Sequence, residues 1–94
     1  MRQSTERKVE NKQMKREQEI LIKRIDDLCK ERNLTLYKLS YLSTVPMTTL
    51  THIMDGTTGN PGIFTIIKIC EGLEISIVEF FATEEFAELL KECN

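Results

Sequence analysis

From Ile20 onward apolar and polar positions recur with the period of a helix. Leu21, Ile25, Leu28 and Cys29 fall at i, i+4, i+7 and i+8, with Lys23, Arg24, Asp26, Asp27, Lys30 and Glu31 on the other faces. This spacing predicts an amphipathic helix ending near Arg32, with Asn33 as its stop. Thr35 reads as the N-cap of a short second helix through about residue 43, and Leu34 before it packs back as a staple. Pro46 suits the opening turn of a third helix, where its missing N–H costs nothing; that helix runs to about Met54 and ends at Asp55-Gly56. Residues 57–62, with Gly59, Asn60, Pro61 and Gly62, read as a loop.

Ile63, Ile66, Ile67 and Cys70 predict a fourth helix over residues 63–71, stopped around Gly72-Leu73. Ser76 and Glu79 form a capping box for a short fifth helix holding Ile77, Phe80 and Phe81. A last helix opens at Thr83 with Glu84 and Glu85 in its first turn, where acidic groups favour the positive end of the dipole. Phe86, Leu89 and Leu90 are its apolar face. The one β-branched stretch, residues 75–78, contains a cap, so no strand is expected and the fold class is all-α.

Residues 1–19 carry six basic and four acidic side chains with almost nothing to bury, so they pack no core of their own. They form either a charged arm or an extension of the first helix, since Glu, Lys, Gln and Arg are all good helix formers. The chain thus divides into this arm (1–19), a five-helix domain (20–81) and an acidic C-terminal helix (82–94).

Two short helices joined by a turn of about four residues must cross tightly, which calls for apolar anchors in each and a small residue where they touch. Leu39 anchors the first, Ser40 supplies the small contact, Val45 fills the turn, and Leu50 and Ile53 anchor the second. The runs LTLYKLSYLSTVPMTTLTHIMDG and NPGIFTIIKICEGLEISIVEFF resemble the lambda-repressor-like, or Cro/XRE-type, helix-turn-helix family over about residues 20–81. The resemblance implies a five-helix DNA-binding domain in which residues 36–42 form the supporting helix and residues 47–54 the recognition helix, laid into the major groove. Two positions depart from the family pattern. Thr44 stands where the family often has Gly, and Leu36 where it often has a Gln that reaches DNA.

With Leu50 and Ile53 turned inward, steps of about 100° per residue put Met47, Thr48, Thr51, His52 and Asp55 outside, with Thr49 near the edge. A threonine can donate, accept, or set its methyl against a thymine methyl, and Met47 offers an apolar contact. His52 reaches a guanine edge or a phosphate, or is a solvated surface residue. Met47, Thr48, Thr51 and His52 are therefore the candidate base contacts. Thr35, Lys38, Thr49, Thr57, Thr58 and Asn60, with backbone N–H groups at helix starts, are the candidate phosphate contacts. The third helix contains no arginine, the usual bidentate reader of guanine, so thymine methyls, shape and water are expected to carry much of the specificity. Arg2, Arg7, Lys8, Lys12, Lys15 and Arg16 of the arm could track phosphate, but the glutamates between them favour a solvated helix extension.

The net charge of −2 is adverse to DNA only until it is divided along the chain. Residues 1–70 hold 12 Lys and Arg against 8 Asp and Glu, or +4, whereas residues 71–94 hold one Lys against seven Glu, or −6. A mildly basic body and an acidic tail suit two different partners, double-stranded DNA and a basic protein, the alternative for the tail being a merely solvated acidic helix face. Phe80, Phe81, Phe86, Leu89 and Leu90 are candidates for a homodimer seam, the alternative being that they only close the core.

A chain of 94 residues is one small domain. Neither a membrane span nor an apolar signal stretch stands out, which leads to the expectation of a cytoplasmic protein. Cys29, Cys70 and Cys93, an odd count with spacings of 41 and 23, match neither a disulfide framework nor a metal site. They are expected to be reduced, with Cys93 the most reactive. One histidine with no triad partners and no glycine-rich phosphate loop give no catalytic constellation, so neither an enzyme nor a cofactor is expected. The reading that competes with a DNA-binding regulator of repressor type is an antitoxin or protein-binding adaptor that uses the acidic tail.

Overall fold

The computed structural model describes residues 15–93, with side chains through Leu89. The described residues form six helices and no strand: α1 (Arg16–Glu31), α2 (Leu36–Ser43), α3 (Met47–Met54), α4 (Ile63–Leu73), α5 (Ile77–Phe81) and α6 (Glu84–Cys93). The chain is thus all-α, five helices followed by a sixth, as its periodicity predicts.

Two of the predicted N-caps are made as read. The Thr35 hydroxyl accepts from the Lys38 backbone N–H at 3.0 Å, and that of Ser76 accepts from Glu79 N–H at 3.0 Å. Each satisfies one of the four N–H groups that a helix start leaves without a partner.

α1 begins at Arg16 and runs through the expected 19/20 boundary, so residues 16–19 extend the first helix, one of the two alternatives the sequence leaves open. Lys15 is a poor cap by residue type, but its backbone N–H donates to Gln18 Oε1 at 2.9 Å. Gln18 Nε2 in turn donates to the Gly56 carbonyl at 3.1 Å, which pins this first turn to the end of α3. Of the candidate basic contacts in residues 1–19, Lys15 and Arg16 are described; Arg2, Arg7, Lys8 and Lys12 lie outside the described residues.

α4 differs from expectation. Gly72 does not stop it; the helix continues through Leu73 and ends at Glu74, in the left-handed region at φ 58°. The buried face is Ile66, Ile69, Cys70 and Leu73, while Ile63 is exposed and Ile67 only half-buried. Asn33 (φ 55°) and Thr44 (φ 60°) end α1 and α2 in the same left-handed way, and Gly56 (φ 86°) follows α3.

The core is built from Ile25, Leu28 and Cys29 of α1, Leu39 of α2, Val45 of the turn, Leu50 and Ile53 of α3, the buried face of α4, and Phe80 of α5. Leu34 packs against it, as a staple should. Two arginines clip the elements together. Arg24 Nε and Nη2 donate to the Phe80 and Glu79 carbonyls at 2.7 and 2.9 Å, and Arg32 Nε donates to the Leu73 carbonyl at 2.8 Å. Each places a cation on the exposed carbonyls at a helix C-terminus, where the dipole favours it. Two of the positive charges in the basic body are thereby structural.

Candidate nucleic-acid interface

α2, the turn and α3 are held by their own polar side chains. Ser40 Oγ donates to the Val45 carbonyl at 2.7 Å, and Val45 N–H donates to Ser43 Oγ at 3.2 Å. Ser40 therefore bridges the turn. It is Ser43, almost fully buried, that meets α4: a Cβ built on Gly72 would lie 2.8 Å from Ser43 Cβ and 2.9 Å from its backbone N. No side chain larger than hydrogen fits there without displacement, and the α2–α4 packing, the most extensive in the fold, sets the direction in which α3 leaves the turn.

Leu50 and Ile53 are buried, and Met47, Thr48, Thr51, His52 and Asp55 are exposed. Thr49 is half-buried at the edge. The four candidate base contacts thus share one outward face. Thr51 Oγ1 donates to the Met47 carbonyl one turn back at 2.8 Å. The N-cap of α3 is Pro46, which provides no side-chain hydrogen bond, so the first N–H groups of the helix, at the positive end of its dipole, carry no side-chain cap.

Apart from Thr49 on α3, the candidate phosphate contacts fall in two groups. Thr35 and Lys38 are exposed at the start of α2. Thr57 and Asn60 are exposed and Thr58 half-buried in the loop after α3, where Thr58 N–H donates to the His52 carbonyl at 3.0 Å. Asp55 organises this loop by accepting from Thr57 N–H at 2.8 Å. The Thr57 hydroxyl and then its backbone N–H hold the Asp55 carboxyl below the usual aspartate range.

Three aromatic side chains that the sequence reading counted with neither group are exposed: Tyr37 and Tyr41 at 74% each and Phe64 at 76%. Lys38 Nζ lies 5.4 Å from the centre of the Tyr41 ring. The two tyrosines stand at i and i+4 on α2, outside the Leu39 side, and that spacing was the signal available for finding them.

Among the residues assigned to a dimer seam, Phe80 has no exposed surface and is corrected: it closes the core of its own chain, edge-on to Phe81 with ring centres 4.9 Å apart. Phe81 is partly exposed and Phe86 and Leu89 are half-buried, lining a groove of about 370 Å³ with Leu21, Ile63 and Ile66. The side chains of Leu90 and Cys93 lie outside those described. Cys29 and Cys70 are free thiols in the core, and burial pushes both upward from the usual thiol range.

Among the described residues no group of three or more His, Cys, Asp or Glu side chains could hold a metal ion, and no helix is long and apolar enough to cross a membrane. Neither the curated proteins nor the solved structures contain a match to the chain. The family of Cro/C1-type HTH DNA-binding domains matches residues 24–85, from the middle of α1 into the start of α6. With the tight α2–turn–α3 unit inside that match and the polar face of α3 turned outward, the chain belongs to the Cro/C1-type helix-turn-helix DNA-binding family.

Proposed function

We propose that this DNA-binding domain is a sequence-specific transcriptional repressor of the cytoplasm that lays α3 in the major groove. The observation that carries the reading is the division of α3, with Leu50 and Ile53 buried while Met47, Thr48, Thr51 and His52 face outward together. These four side chains contact base edges. Thr35, Lys38, Thr49, Thr57, Thr58 and Asn60 position the domain on phosphates, and the hydroxyls of Tyr37 and Tyr41 add two more donors beside Lys38. Single domains of this kind make few base contacts, so the chain acts as a homodimer on a palindromic site with half-sites about one turn, or about 10 base pairs, apart. Phe81, Phe86, Leu89 and Leu90 supply the seam.

The test is selection from a random duplex pool at near-physiological salt. An inverted repeat that is lost in the double variant Thr48→Ala, His52→Ala supports the reading, and absence of enrichment sinks it. If Phe86→Lys leaves a sedimentation dimer intact, the seam is wrong.

One observation favours a second reading. α6 exposes Glu84, Glu85 and Glu88, whereas α3 contains no Lys or Arg. A surface so divided suits an adaptor or antitoxin that grips a basic protein partner through α6, with DNA binding secondary. A toxin-like reading frame beside the gene and retention of that product on the immobilised chain would favour it.

A further inference from the structure

The proposed major-groove reading leaves open what each threonine of α3 does, and the geometry at Thr51 narrows it. A threonine hydroxyl has one proton. That of Thr51 is donated to the Met47 carbonyl at 2.8 Å, inside the helix. A base acceptor such as guanine O6 or N7 therefore finds no donor at this position unless the intrahelical bond is first broken. What Thr51 keeps for a ligand is its γ-methyl and an oxygen lone pair.

Met47, one turn earlier on the same side of α3, is exposed at 38% and is the only large apolar side chain of the outward face. Together the Met47 thioether and the Thr51 methyl make an apolar strip among polar neighbours. On the major-groove edges of the four base pairs the only apolar group is the 5-methyl of thymine. α3 also holds no Arg, Lys, Asn or Gln, the side chains that read guanine or adenine bidentately.

Resting on the proposed placement of α3 in the groove, we infer that Thr51 is a specificity-determining residue that reads the 5-methyl group of a thymine through its own methyl, with Met47 beside it. Thr48 plays a different part, because among the described residues its hydroxyl has no hydrogen-bond partner and is available to donate.

The experiment compares the full chain with Thr51→Val, which keeps the methyl and lacks the hydroxyl, and Thr51→Ser, which keeps the hydroxyl and lacks the methyl. Each is measured on the duplex enriched from the random pool and on copies in which one thymine at a time is replaced by deoxyuridine. Position 51 is exposed, so both variants should retain the wild-type helix content and melting temperature, which circular dichroism checks. The expected result is that one replacement per half-site weakens wild type and Thr51→Val about fourfold, the discrimination one buried methyl supports, whereas Thr51→Ser does not distinguish the two duplexes.

Three outcomes overturn the inference while leaving DNA recognition in place: no replacement affects wild type, the effect persists in full in Thr51→Ser, or Thr51→Val loses the site while Thr51→Ser keeps it. The last would identify the hydroxyl as the reader. Failure of the pool to yield any enriched duplex overturns both the inference and the DNA-binding reading on which it rests.

Discussion

Gly72 of α4 lies so close to Ser43 of α2 that a Cβ at Gly72 would stand 2.8 Å from Ser43 Cβ and 3.0 Å from its Cα. A serine side chain and its backbone stand in the way, and backbone cannot rotate aside. Ser43 is also the residue whose hydroxyl accepts from Val45 in the turn. Pressure at this point is therefore transmitted to the turn that aims α3.

Gly72→Ala is accordingly expected to destabilise the fold. Overpacking costs about 1–3 kcal/mol, and the gain from replacing a helical glycine is at most about 1 kcal/mol. The net loss should be about 1–2 kcal/mol, read as a lower urea midpoint at unchanged m-value. A variant as stable as wild type would mean that α2 and α4 separate freely.

Thr44→Gly should act in the opposite direction. Thr44 sits at φ 60°, ψ 21°, a conformation that β-branched residues rarely adopt, and its hydroxyl bonds the Ser43 carbonyl next to it. Relief of about 1–3 kcal/mol of backbone strain, less the roughly 0.5–1 kcal/mol of extra freedom glycine has when unfolded, leaves about 1 kcal/mol of stabilisation. Thermal denaturation checks it. A lower melting temperature would show that the Thr44 hydroxyl outweighs the strain.

These two positions also mark how far local pattern reaches. The caps at Thr35 and Ser76, the α2–turn–α3 anchors and the outward set on α3 depend on residues within a few places of one another, and each was legible in the sequence. Gly72 looked like a helix stop because its reason for being glycine lies 29 positions away at Ser43, and nothing local records that. The start of α1 stays open in the sequence, between an arm and a helix extension, because Gln18 is held by Gly56, 38 residues on. Phe80 stands open in the sequence between a dimer seam and the core because an apolar stripe does not say which member lies under the Arg24 clip. Tyr37, Tyr41 and Phe64 failed in the opposite sense, as large apolar side chains left outside the core.

The loop after α3 has a pH dependence whose sign follows from Asp55. Its carboxyl is held below the ordinary value of 3.8 by the Thr57 hydroxyl, then by the Thr57 backbone N–H, so the folded chain binds its proton less readily than the unfolded one. The resulting stability is fully present above 3.8 and is lost as pH falls through the lower folded value. Asp55→Asn lacks this titration. The difference in melting temperature between wild type and Asp55→Asn should therefore be constant from about pH 7 to about pH 5 and change below about pH 4, with wild type losing ground. A constant difference down to about pH 2.5 would contradict the assignment.

Lys38 tests how the domain holds the DNA backbone. It is the only Lys or Arg between residues 33 and 62, the span that contains α2, α3 and the loop, and it lies exposed above Tyr41. If it neutralises one phosphate in each half-site, Lys38→Ala lowers the steepness of log affinity against log salt by about 2 for the bound dimer, and weakens selected and scrambled duplexes by the same factor. Thr48→Ala should do the reverse, leaving the salt slope unchanged and reducing the preference for the selected duplex, because a base contact releases no counterion. The two titrations separate positioning from reading on adjacent helices. An unchanged slope in Lys38→Ala would remove the one cation of this span from the backbone contact, and would leave phosphate binding to neutral donors: the N–H groups at the start of α3 and the hydroxyls of Thr35, Tyr37 and Tyr41.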